Sequence, residues 1–197
     1  VIVVLEQIDV CWLFFNPKAG INYKILAGKI FVSAAIAHRE PNRDDLFANP
    51  KTEAEKLYDF EAGLEKTLGI FSFTTNLYYM NYVNQLVLNG KINDIGEFIR
   101  VNSGKSYRAG LEIGALAKLS EQWNLSGNLT LSKNENIDFK NETATGIENL
   151  GNRNISFSPE SIANLLVNYR PSKDFSFGLQ NQFVGSQYLD NTQNENL

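Results

Sequence analysis

Polar and apolar residues alternate one by one through most of this chain, and that period of two limits what it can fold into. Trp123, Leu125, Gly127, Leu129 and Leu131 fall on one side, and Asn124, Ser126, Asn128, Thr130 and Ser132 on the other. A β-strand points successive side chains to opposite faces, whereas a helix would scatter these apolar residues around its axis. The preceding segment repeats the pattern: Tyr107, Ala109, Leu111, Ile113, Ala115 and Ala117 alternate with Ser106, Arg108, Gly110, Glu112, Gly114 and Lys118, Leu116 being the one apolar exception. Tyr58, Phe60, Ala62 and Leu64 oppose Asp59, Glu61, Gly63 and Glu65; Phe71, Phe73, Leu77 and Tyr79 oppose Ser72, Thr74, Asn76 and Tyr78. Phe175, Phe177, Leu179 and Phe183 oppose Ser176, Gly178, Gln180 and Gln182. The alternation is weaker at Ala163, Leu165, Val167 and Tyr169, where Ile162 and Leu166 interrupt the polar side. Ala19, Ile21 and Tyr23 mark an early strand, and residues 30–38 are small or apolar on both sides, which leaves their orientation open.

Eight strands are therefore predicted, over residues 17–25, 29–38, 56–66, 69–84, 105–119, 122–133, 161–170 and 174–187. Pro41, Pro50, Pro159 and Pro171 fall between them and Pro17 opens the first, as expected of a residue that cannot donate to a ladder. The chain of 197 residues holds 24 Asn beside 13 Phe and 8 Tyr. Asn suits neither helices nor ordinary strands and aromatics favour strands, so these strands need a polar face as well as an apolar one. Residues 67–90 carry no charge and are long enough to cross a membrane as a helix. They alternate, however, and contain Asn76, Asn81, Asn84, Gln85 and Asn89, so a helical span is rejected.

The connections alternate too. Tight turns at 26–28, 67–68, 120–121 and 171–173 take turns with long polar segments at 39–55, 85–104 and 134–160. Long loops gathered at one end, with apolar-out and polar-in strands, are the layout of an outer-membrane barrel. The expected fold is thus all-β, an antiparallel transmembrane β-barrel segment of about eight strands. Tyr23, Phe71, Trp123, Tyr169 and Phe175 sit near the tight turns, where an interfacial girdle would lie. Phe73, Leu125, Leu129 and Phe177 join them on the side expected to face lipid. Glu61, Glu65, Arg108, Glu112 and Lys118 point the other way, into a hydrated lumen.

Several function classes are disfavoured. Eighteen basic against twenty-two acidic residues, without a basic block, provide no nucleic-acid footprint. One cysteine, Cys11, allows no intramolecular disulfide, and one histidine, His38, no multi-histidine metal site. With His38 beside Arg39, a histidine-based hydrolase in the barrel rim is disfavoured, so neither an enzyme nor a cofactor is expected. Asn102-Ser-Gly-Lys-Ser106 resembles a phosphate loop only superficially, because the first glycine is misplaced and a strand follows.

Four stretches carry a family resemblance: FNPKAGINYK from Phe15, AHREPNRDDLFANP from Ala37, LYYMNYVNQLVLNGKINDIGEFIRVN from Leu77 and SYRAGLEIGALAKL from Ser106. Together they resemble the barrel of TonB-dependent receptors, the Gram-negative outer-membrane importers of siderophore-bound iron, cobalamin, haem or glycans. The resemblance implies a 22-strand barrel blocked by a plug that the TonB complex moves, of which residues 14–197 would form part, the plug domain being absent here. Residues 1–13 break the alternation and are expected to be a truncated or misread start. The implied partners are outer-membrane lipid, a small nutrient ligand and, through the plug, TonB; no nucleic acid is expected. Arg39, Arg43, Phe47, Phe98 and Arg100 lie in or beside the long loops and are the candidate ligand contacts. The alternative is a complete eight-stranded outer-membrane barrel with a structural or adhesive role.

Overall fold

A computed structural model describes residues 10–92, 96, 98–143 and 146–193. In chain order its elements are β1 (Lys18–Ile25), β2 (Gly28–Arg39), a short helix α1 (Arg43–Ala48), β3 (Glu55–Leu68) and β4 (Phe71–Val83). There follow β5 (Leu86–Ile92), β6 (Phe98–Asn102), β7 (Lys105–Lys118), β8 (Trp123–Ile137), β9 (Lys140–Thr143) and β10 (Gly146–Asn149). The two-residue β11 (Arg153–Asn154), β12 (Ser161–Ser172) and β13 (Phe175–Val184) complete the order.

Eight long strands pair antiparallel in the order β1-β2-β3-β4-β7-β8-β12-β13, with β11 appended to β8. They correspond one for one to the eight strands expected from the alternation. Every tight turn lies at one end of the sheet and every long connection at the other. Two of those long connections fold into hairpins of their own, β5–β6 and β9–β10.

The ladder keeps a single register of faces across the whole sheet. One row runs Tyr23, Ile30, Leu64, Thr75, Ile113, Leu129, Ala163, Phe183 through all eight strands. The adjacent row runs Lys24, Lys29, Glu65, Thr74, Gly114, Asn128, Asn164, Gln182. A one-residue slip between any two strands would exchange these faces, so the match fixes register at every pairing. It also settles β2: Ile30, Val32, Ala34 and Ile36 join the apolar face, while Phe31 lies on the polar face over Gly63. Gly110 serves Tyr78 in the same way, since a Cβ there would stand 2.5 Å from the tyrosine oxygen and 2.7 Å from the Leu131 carbonyl.

Among the described residues no second layer covers the apolar face. Ile21 is 75% exposed, Leu179 73% and Phe175 64%. Among the described residues the buried apolar side chains are Leu86, Val87, Ala117, Phe139 and Ile155, and all but Ala117 belong to the long-connection end. The well-packed part of the molecule is therefore its loop end.

Three expectations are adjusted. The turn predicted at 67–68 lies at Gly69–Ile70, where Gly69 adopts φ +58°, a left-handed conformation that glycine takes without strain. Strand β8 runs four residues past its predicted end. Asn134, Glu135 and Asn136 read as loop because all three are polar, yet Asn134 and Asn136 are buried beneath the third long connection. The long connections hold a helix and two hairpins rather than uniform polar coil.

Candidate functional site

Two features could meet a ligand: the polar face of the sheet and the loops that rise from one end of it. The loops are built from a few buried polar groups. Asn42 caps α1 by accepting from the Asp45 backbone N–H (2.7 Å), and Asp45 returns a carboxylate oxygen to the Asn42 N–H (3.1 Å). This reciprocal capping box satisfies donors that a helix start otherwise leaves open. The second oxygen of Asp45 accepts from the Arg100 N–H at 2.8 Å and thereby fastens β6 to α1. Asp45 is 1% exposed, so this join is sealed from water.

A second buried carboxylate does similar work at the base. Glu55 accepts from the Arg39 guanidinium and from the Leu86 N–H, both at 2.9 Å, and Arg39 also donates to the Leu86 carbonyl at 3.1 Å. Asn102 accepts from the Glu53 N–H (2.8 Å) and donates to the carbonyls of Glu53 (2.9 Å) and Asn84 (2.8 Å). Asn84 donates to the Glu53 carboxylate, and Ser106 to Gln85. The first two long connections thus form one interlocked unit. The third is held by the segment after β13, where Asn191 accepts from the Ser156 N–H at 2.9 Å and from the buried Asn136 amide at 3.4 Å.

The sequence-predicted loop residues separate accordingly. Arg39 is committed to Glu55. Arg43 is exposed, with its guanidinium 5.0 Å from the centre of the Phe47 ring, and Phe47 is itself 48% exposed. The Arg100 backbone is held by Asp45, and the Phe98 side chain lies outside the described residues although its backbone pairs with Ile92. His38 stacks on Phe14 with ring centres 4.9 Å apart and shares a 2.8 Å hydrogen bond with Asn16.

Glu61, Glu65, Arg108, Glu112 and Lys118 share the polar face, and Tyr23, Phe71, Phe73, Trp123, Leu125, Leu129, Tyr169, Phe175 and Phe177 share the other. Glu65 pairs with Lys29 at 2.9 Å. Two open cavities lie on the polar face. One, of about 370 Å³, is lined by Phe31, Glu65, Asn76, Glu112 and Asn128. The other, of about 350 Å³, lies closer to the loops, between Glu61, Tyr78, Arg108, Asn134 and the exposed Phe157. Asp59, Asn76 and Arg108 each bury a polar atom on this face without a hydrogen-bond partner among the described residues. Among those residues no group of histidine, cysteine and carboxylate side chains could hold a metal ion.

Asp45, Glu55, Gln85 and Asn102 were not singled out from sequence. Only Asp45 carried a local signal, the Asn-x-x-Asp spacing of a capping box; the others act through contacts 16 to 49 residues away in the chain.

Comparison with known proteins adds three findings. The model of the family described as "TonB dependent receptor-like, beta-barrel" matches residues 12–196. A comparison with curated proteins finds no match. Among solved structures, the copper transporter OprC superimposes with a TM-score of 0.67 at 16% identity, over 88% of this chain and 26% of its own. A mutant of the ferric enterobactin receptor PfeA of Pseudomonas aeruginosa, in complex with enterobactin, gives 0.66 at 16% identity, over 91% and 29%. The ferric-catecholate import receptor Fiu of E. coli K12 gives 0.60 at 19% identity, over 86% and 24%. At such identities the likeness concerns the fold, and this chain spans about a quarter of the length of each of these structures.

Proposed function

The chain belongs to the TonB-dependent receptor-like β-barrel family, and on that premise we propose that it is a wall sector of a Gram-negative outer-membrane receptor. That receptor binds a scarce nutrient on its loop side and imports it with TonB-coupled energy. The observation that carries the reading is the division into one mainly apolar and one mainly polar face, kept in register over eight strands. An uncovered apolar face this wide far exceeds the patches that soluble proteins expose, and lipid is the environment that satisfies it.

Under this reading Tyr23, Trp123, Tyr169 and Phe175 stand at the membrane interface near the tight turns. The opposite face lines the lumen, where Glu61, Glu65, Arg108, Glu112 and Lys118 meet water and a plug domain. Buried polar atoms of Asp59, Asn76 and Arg108 fit a wall that takes its remaining partners from a separate body. The nutrient belongs to the class of siderophore-bound iron, cobalamin, haem or glycan. Of the loop candidates, Arg43 and Phe47 present free surface and are assigned ligand contact before Arg39, whose guanidinium is already used.

The test is uptake by a strain lacking the gene, supplied in turn with labelled ferric chelates, cobalamin, haem and oligosaccharides, with and without an active TonB complex. Loss of TonB-dependent uptake of one class supports the reading. Full uptake of every class by that strain, with the protein found in the outer membrane of its parent, would refute it in favour of a structural or adhesive barrel.

A further inference from the structure

The cavity of the polar face nearer the loops has one wall that the sheet does not supply. Its volume is about 350 Å³, and the third long connection borders it through Phe157, Ser158 and Pro159. Phe157 is 57% exposed and holds its backbone at φ +53°. The left-handed region is costly for a bulky side chain, and such strain persists only where the surroundings enforce it. Here they do. The Phe157 N–H donates to the Tyr188 carbonyl at 2.9 Å, and its neighbours Ile155 and Ser156 donate to the Asn134 carbonyl (3.0 Å) and the Asn191 side-chain oxygen (2.9 Å). On the other side Ser132 donates its N–H to the Glu160 carbonyl at 2.8 Å and its hydroxyl to the Pro159 carbonyl at 3.3 Å. An exposed aromatic residue is thus fixed at the cavity against its own backbone preference.

The polar groups facing it are mixed in kind. Glu61 on β3 and Glu112 on β7 offer carboxylates, and neither forms an ion pair among the described residues. Arg108 on β7 rests its guanidinium 5.6 Å from the centre of the Tyr82 ring, and its Nε has no hydrogen-bond partner among those residues. Two carboxylates against one guanidinium leave the lining net negative. An anion entering here meets Glu61 and Glu112, and a cation meets Arg108. A hydroxyl both donates and accepts, so a row of hydroxyls satisfies carboxylates and guanidinium together. The C–H face of a sugar ring is slightly positive and suits the negative face of a phenyl ring.

We infer that this cavity binds a neutral saccharide, with Phe157 as the stacking platform and Glu61, Arg108 and Glu112 as the hydroxyl partners. The inference rests on the receptor reading above and names the substrate class within it. Charge selects against an anionic ferric chelate, and the fixed aromatic residue gives a sugar ring a surface that needs no ordering on binding. The volume lies within the roughly 300–1,000 Å³ usual for small-ligand sites.

The test uses the intact receptor containing this chain, titrated by calorimetry with neutral oligosaccharides of glucose, galactose, mannose, xylose and N-acetylglucosamine. Parallel titrations use a ferric tris-catecholate, cobalamin and haem. An oligosaccharide is expected to bind in preference to the other three. Phe157→Gly removes the ring and suits the left-handed backbone, so it should keep the fold yet weaken saccharide binding about tenfold. Phe157→Tyr keeps an aromatic face and should bind as the parent does. Heat-modifiable migration on gels verifies that each variant is folded. Undiminished saccharide binding by Phe157→Gly, or equal loss in both variants, would overturn the inference. So would preference for the tris-catecholate, cobalamin or haem over every saccharide, and the receptor reading survives any of these results. Binding of none of the four classes would overturn the receptor reading along with it.

Discussion

Removing the Asp45 carboxylate should release β6 from α1. Asp45→Ala deletes the acceptor of the Arg100 N–H at 2.8 Å and of the Asn42 N–H at 3.1 Å. A hydrogen bond to a charged group contributes about 1.5–3 kcal/mol, and loss of a helix-cap interaction about 1 kcal/mol. Asn42 is exposed, so water can replace its lost acceptor and its share sits at the low end. The Arg100 amide sits against a carboxylate that is 1% exposed, so its share is nearly complete. The sum is about 2–4 kcal/mol, charged to local opening of the loop unit rather than to the sheet, because hydrogen-bonded regions open in separate cooperative units. Hydrogen exchange of the intact receptor should then accelerate by roughly thirty- to seven-hundred-fold in peptides covering residues 98–102. Peptides from β3 and β4 should exchange as before. Asp45→Asn keeps one acceptor but loses the charge, and should fall between the two. If β6 exchanges at the same rate in Asp45→Ala as in the parent, the join between the loops is not held by this carboxylate.

Three further outcomes follow from the geometry. In a receptor whose native tryptophans, Trp12 and Trp123 among them, are replaced by Phe, a tryptophan at Leu111 should be quenched by lipids brominated on their acyl chains, and one at Glu112 should not; equal quenching would contradict the division of faces. Leu111→Arg, near the middle of β7, should cost about 2–4 kcal/mol in urea unfolding from bilayers, and Glu112→Arg under about 1 kcal/mol. Gly110→Val places a side chain where Tyr78 and the Leu131 carbonyl already lie, and should lower stability by about 1–3 kcal/mol in the same assay, with partial recovery when Tyr78→Ala is added.

How much of this was legible in the sequence depends on the range of the interactions involved. The long strands were readable because each strand carries its own two-faced pattern. Trp123 to Ser132 needs no other part of the chain to declare which residues belong together. The residues 30–38 were ambiguous because Phe31 breaks the pattern, and its place is intelligible only beside Gly63 on the neighbouring strand. The loops were least legible. Arg39 looked like a ligand contact because it is a cation in a long polar connection, but its guanidinium is held by Glu55, sixteen residues on, and by the carbonyl of Leu86.

What the sequence by itself determined is the alternation and its consequence: strands with one apolar and one polar face, joined by short turns at one end and long connections at the other. That follows from backbone geometry, since a period of two is a property of each strand alone. Only the tertiary structure decided that every strand shows the same face to the same side, and that two long connections lock into one unit through Asp45 and Glu55. Both depend on pairings between residues distant in the chain, and a buried carboxylate reveals its partner only when the fold has brought a particular N–H to it.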